Sequence, residues 1–170
     1  YQEAEATVGY QNANLSIRAS DAFMSAVEND REWQTIPVHN KDMLAEMPRH
    51  KAKDMFRKIA EGTHMCGDPG MQYHDTINKW HTCPNSAPIN ASNPCSEYMF
   101  VDNSSCNLAS LNLVKFLTPE NKFDIASFKK AVRITAMAQD LLYDASSFPT
   151  KEIAENSHRF RPLGMGYANI

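Results

Sequence analysis

The chain has 170 residues, of which 42% are hydrophobic and 22% charged, and its formal net charge is −3. This suits one globular domain with a sizeable core. The charge leaves no electrostatic footprint for nucleic acid, and no apolar run reaches the length of a membrane span. The start, Tyr1-Gln2-Glu3-Ala4-Glu5, is too polar for a signal peptide, so a cytoplasmic location is expected. The chain begins without Met and ends as Leu163-Gly164-Met165-Gly166-Tyr167-Ala168-Asn169 starts to read as a new element. The expectation is a fragment of a longer polypeptide, with a trimmed domain as the alternative.

Gln11 to Ala19 alternates loosely, with Ala13, Leu15 and Ile17 on one side, which predicts a short strand. Ser20 then caps a helix through about Asn29, with Phe23 and Val27 one turn apart. Trp33, Ile36 and Val38 lie in a connector broken by Pro37. Pro48 to Gly62 predicts an amphipathic helix. Ala52, Met55, Phe56, Ile59 and Ala60 keep helical spacing, Lys51, Lys53, Arg57 and Lys58 take the solvated face, and Gly62 is the expected stop. Gly67-Asp68-Pro69-Gly70 is turn chemistry, and Met71 to His74 reads as a short strand.

Asp75 to Asn93 is rich in Asn, Pro, Ser and Thr and has no periodicity. A long irregular segment inside a compact domain is usually functional or disordered, and this one leads into a reactive stretch, which favours function. Leu108 to Leu117 predicts a strand running into a helical turn, and Pro119 to Lys122 a further turn. Asp124 is the expected cap of the longest helix, Ile125 to about Ser147. Phe128, Ala131, Val132, Ile134, Ala136, Ala138, Leu141 and Leu142 spread around it, so packing on several sides is expected. Thr150 to Asn156 predicts one more short helix. Short strands alternating with helices indicate an α/β fold.

The reactive stretch is Asn90-Ala91-Ser92-Asn93-Pro94-Cys95-Ser96-Glu97-Tyr98. It sets an amide, a thiol and a carboxylate at every second position: Asn93, Cys95 and Glu97. In an extended segment these project to the same side, and Pro94 favours extended backbone at itself and at Asn93. The competing reading is that Asn-Pro starts a turn around a packed thiol and a solvated Glu. A second cysteine, Cys106, follows eleven positions after Cys95.

Asn93-Pro94-Cys95-Ser96-Glu97-Tyr98 and Ser104-Ser105-Cys106-Asn107-Leu108-Ala109-Ser110-Leu111-Asn112-Leu113 together resemble the active-site finger loop of ribonucleotide reductases. The Asn-Pro-Cys-x-Glu form and the short gap are similar to the adenosylcobalamin-dependent class II enzymes. Class I enzymes usually carry Leu where Pro94 stands and have a longer gap, and a class I-type large subunit is the alternative. The resemblance extends to Gly9 to Met24, Gly67 to Asn78, the stretch around Cys83, and Arg161 to Ile170, so it covers nearly the whole chain.

That resemblance implies part of a ten-stranded α/β barrel made of two parallel five-stranded halves. Residues 1–170 would span the end of the first half, a central finger loop at about 90–107, and the start of the second half. It implies thiyl-radical reduction of ribonucleotides, expected as diphosphates with triphosphates as the alternative, to 2′-deoxyribonucleotides. Cys95 would be the thiyl residue, Glu97 the general base for the 3′-hydroxyl, and Asn93 a hydrogen-bonding group for substrate hydroxyls. Cys106 would be one of a redox pair whose partner lies upstream, outside this chain. Adenosylcobalamin is the implied cofactor, with a dNTP or ATP effector, a thioredoxin or glutaredoxin-like reductant and a homodimer as implied partners. The chain by itself is expected to be inactive.

Rival readings come from other classes. His64-Met65-Cys66 and His81-Thr82-Cys83 repeat a His-x-Cys pattern, so His64, Cys66, His81 and Cys83 could close a tetrahedral zinc site, although tighter Cys-x-x-Cys pairs are absent. A cysteine hydrolase would use Cys95 with one of six histidines, but Pro94 supplies no oxyanion N–H. A non-catalytic α/β domain leaves the two matched cysteine motifs unexplained. Two disulfides among Cys66, Cys83, Cys95 and Cys106 are disfavoured, since nothing else points to secretion.

Overall fold

The structure, a computed structural model, describes residues 12–37 and 39–170. The expected strand start at Gln11, the Gly9-to-Gln11 part of the resemblance and the connector residue Val38 lie outside the described residues. The chain divides into two compact units, Tyr1–Phe100 and Val101–Ile170. Both mix helices with strands, so the α/β expectation holds. The described residues form three two-stranded sheets and no closed barrel.

In the first unit, strand β1 (Ser16–Ala19) runs parallel to β4 (Gly70–Tyr73), with Arg18 opposite Gln72. Helix α1 (Asp21–Glu28) follows β1, and Ser20 Oγ accepts the Phe23 N–H at 3.2 Å, the expected cap. The connector after α1 contains β2 (Glu32–Gln34), antiparallel to β3 (Arg49–Lys51). Phe23, Ala19, Ala26 and Ala52 form the core, with Trp33, Met55, Phe56 and Met71 packed against it. The Phe23 and Trp33 rings meet edge to face at 5.4 Å.

Helix α2 (Ala52–Cys66) corrects the expected span of Pro48 to Gly62 at both ends. Its start is delayed because Arg49–Lys51 are engaged as β3. Gly62 is a buried helical residue and not the stop. Gly67 ends the helix at φ +80, and a Cβ there would meet nothing, so conformation and not space calls for glycine. The segment from Asp75 is less irregular than expected, because helix α3 (His74–Lys79) occupies its start.

In the second unit, β5 (Asn107–Asn112) is followed by a 3-10 turn, Leu113–Phe116, as the expected strand-to-turn pattern requires. β5 runs parallel to β6 (Leu163–Ala168). Helix α4 (Ile125–Ala145) is capped by Asp124, which accepts the Ser127 N–H at 3.0 Å. Helix α5 (Lys151–Phe160) is capped by Thr150 and runs past the expected Asn156. Buried Gln139 of α4 joins the two strands, its Nε2 donating to Asn107 O at 3.2 Å and Gly164 O at 2.8 Å.

The expectation that α4 packs on several sides is corrected within this unit. Ile134, Met137, Leu141 and Leu142 are 51–62% exposed. β5, β6 and α5 cover the face that carries Gln139 and Tyr143, and the Phe116 and Phe123 rings pack on Phe128 near the helix start, which leaves those four side chains open.

Candidate functional site

The reactive stretch sits in the first unit at the end of a loop with little regular structure. That loop is tied down residue by residue. Asn78 of α3 takes both backbone groups of Ile89: its Oδ1 accepts the Ile89 N–H at 3.0 Å and its Nδ2 donates to Ile89 O at 3.1 Å. Arg18 of β1 donates from Nη1 to the same carbonyl at 3.0 Å. Ile89 is 1% exposed, so these bonds satisfy backbone groups that water cannot reach.

Further along, residues 93–98 form a turn and not the extended segment expected from Pro94. The Ser96 N–H reaches back to Asn93 O at 3.1 Å, and an antiparallel bridge between Ser92 and Met99 closes the base. Pro94 and Cys95 are therefore the two central turn residues. The fixed φ of proline suits the first of those positions, and Asn is favoured just before it, which is why the turn reading of Asn-Pro prevails. Ser96 takes φ +67, a left-handed conformation that costs a residue with a Cβ roughly 1 kcal/mol.

Cys95 is exposed at this turn, and Asn14 Nδ2 stands 4.0 Å from its sulfur. Asn93 is half-buried, and its Oδ1 accepts the Tyr98 N–H at 2.9 Å. Its Nδ2 makes no bond to a described residue. Glu97 is exposed. A cavity of about 240 Å³ adjoins the turn, lined by Asn14, Ser16 and Arg18, by Gln72 of β4, and by the loop from Asn90 to Pro94. Almost every one of these side chains carries an amide, hydroxyl or guanidinium, so the cavity suits a ligand rich in hydroxyl groups.

Cys106 belongs to the second unit, half-buried just before β5. A Cβ added to Gly164 of β6 would stand 3.1 Å from its sulfur, so glycine there leaves room for the thiol. Tyr143 of α4 lies beneath, 2% exposed, with its hydroxyl between the carbonyls of Ser105 and Pro162. Burial raises the Tyr143 hydroxyl above its usual range. Ser105 and Ser157 hydroxyls meet at 2.6 Å, and Ser157 is fully buried.

The four proposed zinc ligands are not gathered. Among the described residues no three His, Cys, Asp or Glu side chains form a group that could hold a metal ion. His81 is spent on its own loop: Nδ1 accepts the Cys83 N–H at 3.3 Å and Nε2 donates to Ala87 O at 2.9 Å. Cys66 lies at the end of α2, its thiol near the Gly62 and Asp68 carbonyls.

Sequence reasoning picked out Asn93, Cys95, Glu97 and Cys106 but gave no role to Gln72, Arg18, Asn78, Asn14, Ser92 or Ser96. Arg18, Asn78 and Gln72 do lie in the stretches that carried the resemblance. Nothing in their spacing announced that they hold a loop between 11 and 71 positions away.

Comparison with known proteins matches residues 2–170 to the family described as "Ribonucleotide reductase, barrel domain". A "Vitamin B12-dependent ribonucleotide reductase" of Rhodopirellula baltica is 54% identical over 99% of this chain and 16% of that protein. One of the same name from Streptomyces avermitilis is 49% identical over 96% of this chain and 17% of its own length. A "Vitamin B12-dependent ribonucleoside-diphosphate reductase" of Mycobacterium tuberculosis is 31% identical over 99% of this chain and 24% of its own. The chain thus spans about a sixth of the first two relatives' length. Because the family match runs from residue 2 to residue 170 and is not confined to the cysteine motif, the chain belongs to the ribonucleotide reductase barrel-domain family.

Proposed function

We propose that this chain is the central part of the catalytic barrel of a B12-dependent ribonucleotide reductase. The carrying observation is the whole-chain similarity to proteins of that name, joined to an exposed Cys95 on a turn beside a polar cavity. In the full-length protein the barrel would have ten strands, and residues of about 90–107 would form its finger loop. The apolar face of α4, open in this chain, supports the reading that further barrel elements cover it.

Adenosylcobalamin, when bound, supplies the radical equivalent that turns a cysteine thiol into a thiyl. This chain fits that cofactor at one atom, Cys95 Sγ, whose exposure lets a bulky radical source approach.

The Cys95 sulfur takes the 3′-hydrogen atom of the ribose, so an S–H bond forms as the C3′–H bond breaks. Glu97 accepts the 3′-hydroxyl proton, and the 2′-hydroxyl leaves as water after gaining a proton. Two electrons and two protons come from a dithiol that becomes a disulfide. Cys106 is one member of that pair, and the other lies outside this chain. The Cys95 S–H then returns its hydrogen atom to C3′. Asn93 donates through Nδ2 to a ribose hydroxyl, since its Oδ1 is engaged by Tyr98. Orienting groups of this kind lower a barrier by as much as ~7–11 kcal/mol in ideal cases.

The substrate is read as a ribonucleoside diphosphate, with a nucleotide effector, a thioredoxin-like reductant and a homodimeric, cytoplasmic full-length enzyme. The test is deoxynucleotide formation by the full-length protein from each ribonucleoside diphosphate, with adenosylcobalamin and a dithiol. Cobalamin-dependent product that vanishes in Cys95→Ser is expected. Normal product from Cys95→Ser overturns the assignment.

A further inference from the structure

Gln72 connects a strand to the turn that presents the Cys95 thiol. It is 7% exposed, in the middle of β4, directly opposite Arg18 of β1. Its Nε2 donates to Ser92 Oγ at 2.7 Å and to Ser96 Oγ at 2.9 Å, so one amide group grips the turn on both sides of Cys95. Ser92 Oγ in turn donates to Asn93 O at 2.7 Å, the same carbonyl that accepts the Ser96 N–H. Both hydroxyls are thereby oriented, and the bonds converge on the residues either side of Pro94-Cys95.

Ser96 is the residue just after the thiol, and it is held at φ +67. A left-handed serine persists only where its surroundings over-determine it. Here the surroundings are the Asn93 carbonyl on its N–H and the Gln72 amide on its hydroxyl. Removing the Gln72 amide leaves the turn free to relax at the residue bonded to Cys95. Arg18, the cross-strand neighbour of Gln72, fixes the loop further upstream at Ile89.

We infer that Gln72 is a positioning residue for the radical thiol: through the hydroxyls of Ser92 and Ser96 it holds Cys95 at the place where its sulfur meets the ribose C3′–H. The inference rests on the function proposed above. Gln72 acts through those two hydroxyls, to which both of its Nε2 bonds are made. Its contribution appears in the rate of the bound complex, because a misplacement of about 1 Å can cost on the order of 100-fold in rate.

The experiment uses the full-length enzyme with a ribonucleoside diphosphate and its 3′-deuterated form. Parent activity that depends on cobalamin and is lost in Cys95→Ser is measured first, and its absence rejects the function itself. Given an active parent, Gln72→Leu is expected to lower kcat by about 10- to 100-fold with KM within about threefold, and to raise the 3′-deuterium isotope effect on kcat. The same readings are taken for Ser96→Ala and for the double variant. Coupling through one network makes the double variant no worse than the poorer single one. An unchanged kcat, a loss confined to KM, an unchanged isotope effect, or fully additive losses overturn the inference. Should Gln72→Leu fail to fold, Ser96→Ala and Ser92→Ala carry the test: kcat loss with a raised isotope effect supports it, and parent values in both overturn it.

Discussion

The side-chain oxygen of Asn93 accepts the Tyr98 N–H at 2.9 Å, so the residue proposed to bind substrate also locks the turn that carries Cys95. The two duties use different atoms and can be separated. Asn93→Asp keeps the acceptor for Tyr98 and loses the Nδ2 donor. The full-length Asp variant should unfold at the parental denaturant midpoint yet lose at least about tenfold in kcat. Asn93→Ala should lose activity and, in addition, about 1 kcal/mol of stability, the usual net worth of one hydrogen bond.

The two cysteines of the motif should fail differently. In the full-length enzyme Cys95→Ser should form no deoxynucleotide with any reductant. Cys106→Ser should still exchange the substrate 3′-hydrogen in a single event and then stop, because no disulfide can form to supply the electrons. Product counted per enzyme, alongside isotope loss from substrate, distinguishes the two. The isolated 170-residue chain should form no product under the same conditions.

The Asn78 clamp on Ile89 should matter for stability ahead of chemistry. Asn78→Ala strands a buried N–H at a residue that is 1% exposed. A loss of about 1–3 kcal/mol is expected from denaturant unfolding of the full-length protein. Asn78→Asp retains the acceptor for that N–H and should lose less, since Arg18 still donates to the Ile89 carbonyl.

Acid should loosen the second unit at Arg161. This residue caps α5 at φ +45 and bonds Asp140 Oδ1 at 2.7 Å and Asp144 Oδ1 at 2.8 Å. The Arg161 hydrogen bond holds the Asp144 carboxyl below the usual carboxylate range. A lowered folded-state pKa means that the unfolded chain binds more protons in the window between the two values. The contribution of Asp144 is therefore complete above about pH 4 and declines as pH falls through the folded pKa. Denaturant midpoints taken from pH 6 down to pH 2 should fall less steeply in Asp144→Asn than in the parent.

Much of the local structure was legible because it is set by neighbours in the chain. Ser20, Asp124 and Thr150 cap the helices they precede, since a hydroxyl or carboxylate reaches only the first turn's N–H groups. The strand-to-turn pattern of Leu108 to Leu117 held for the same reason. Gly62 was misread as a stop because two glycines lay within reach. Pairing of β2 with β3 set where the helix starts, and burial of Gly62, also long-range, left Gly67 to end it. The apolar spread on α4 was read correctly as composition, but its covering lies beyond what one 70-residue unit supplies.

By itself the sequence determined the chemistry at issue: a thiol, an amide and a carboxylate within five residues, a second thiol eleven positions on, and the family those motifs belong to. Residue types and their spacing are covalent facts, and they carry a family signature without any fold. Only the tertiary structure decided how the thiol is shown. Pro94 suits both extended backbone and the first central position of a turn, and local sequence does not choose between them. The choice came from groups distant in the chain: Gln72 on a strand, which holds the Ser92 and Ser96 hydroxyls, and Asn78 on a helix, which holds the Ile89 backbone. Hydrogen bonds between residues so far apart form only once the strands and helices that carry them have packed.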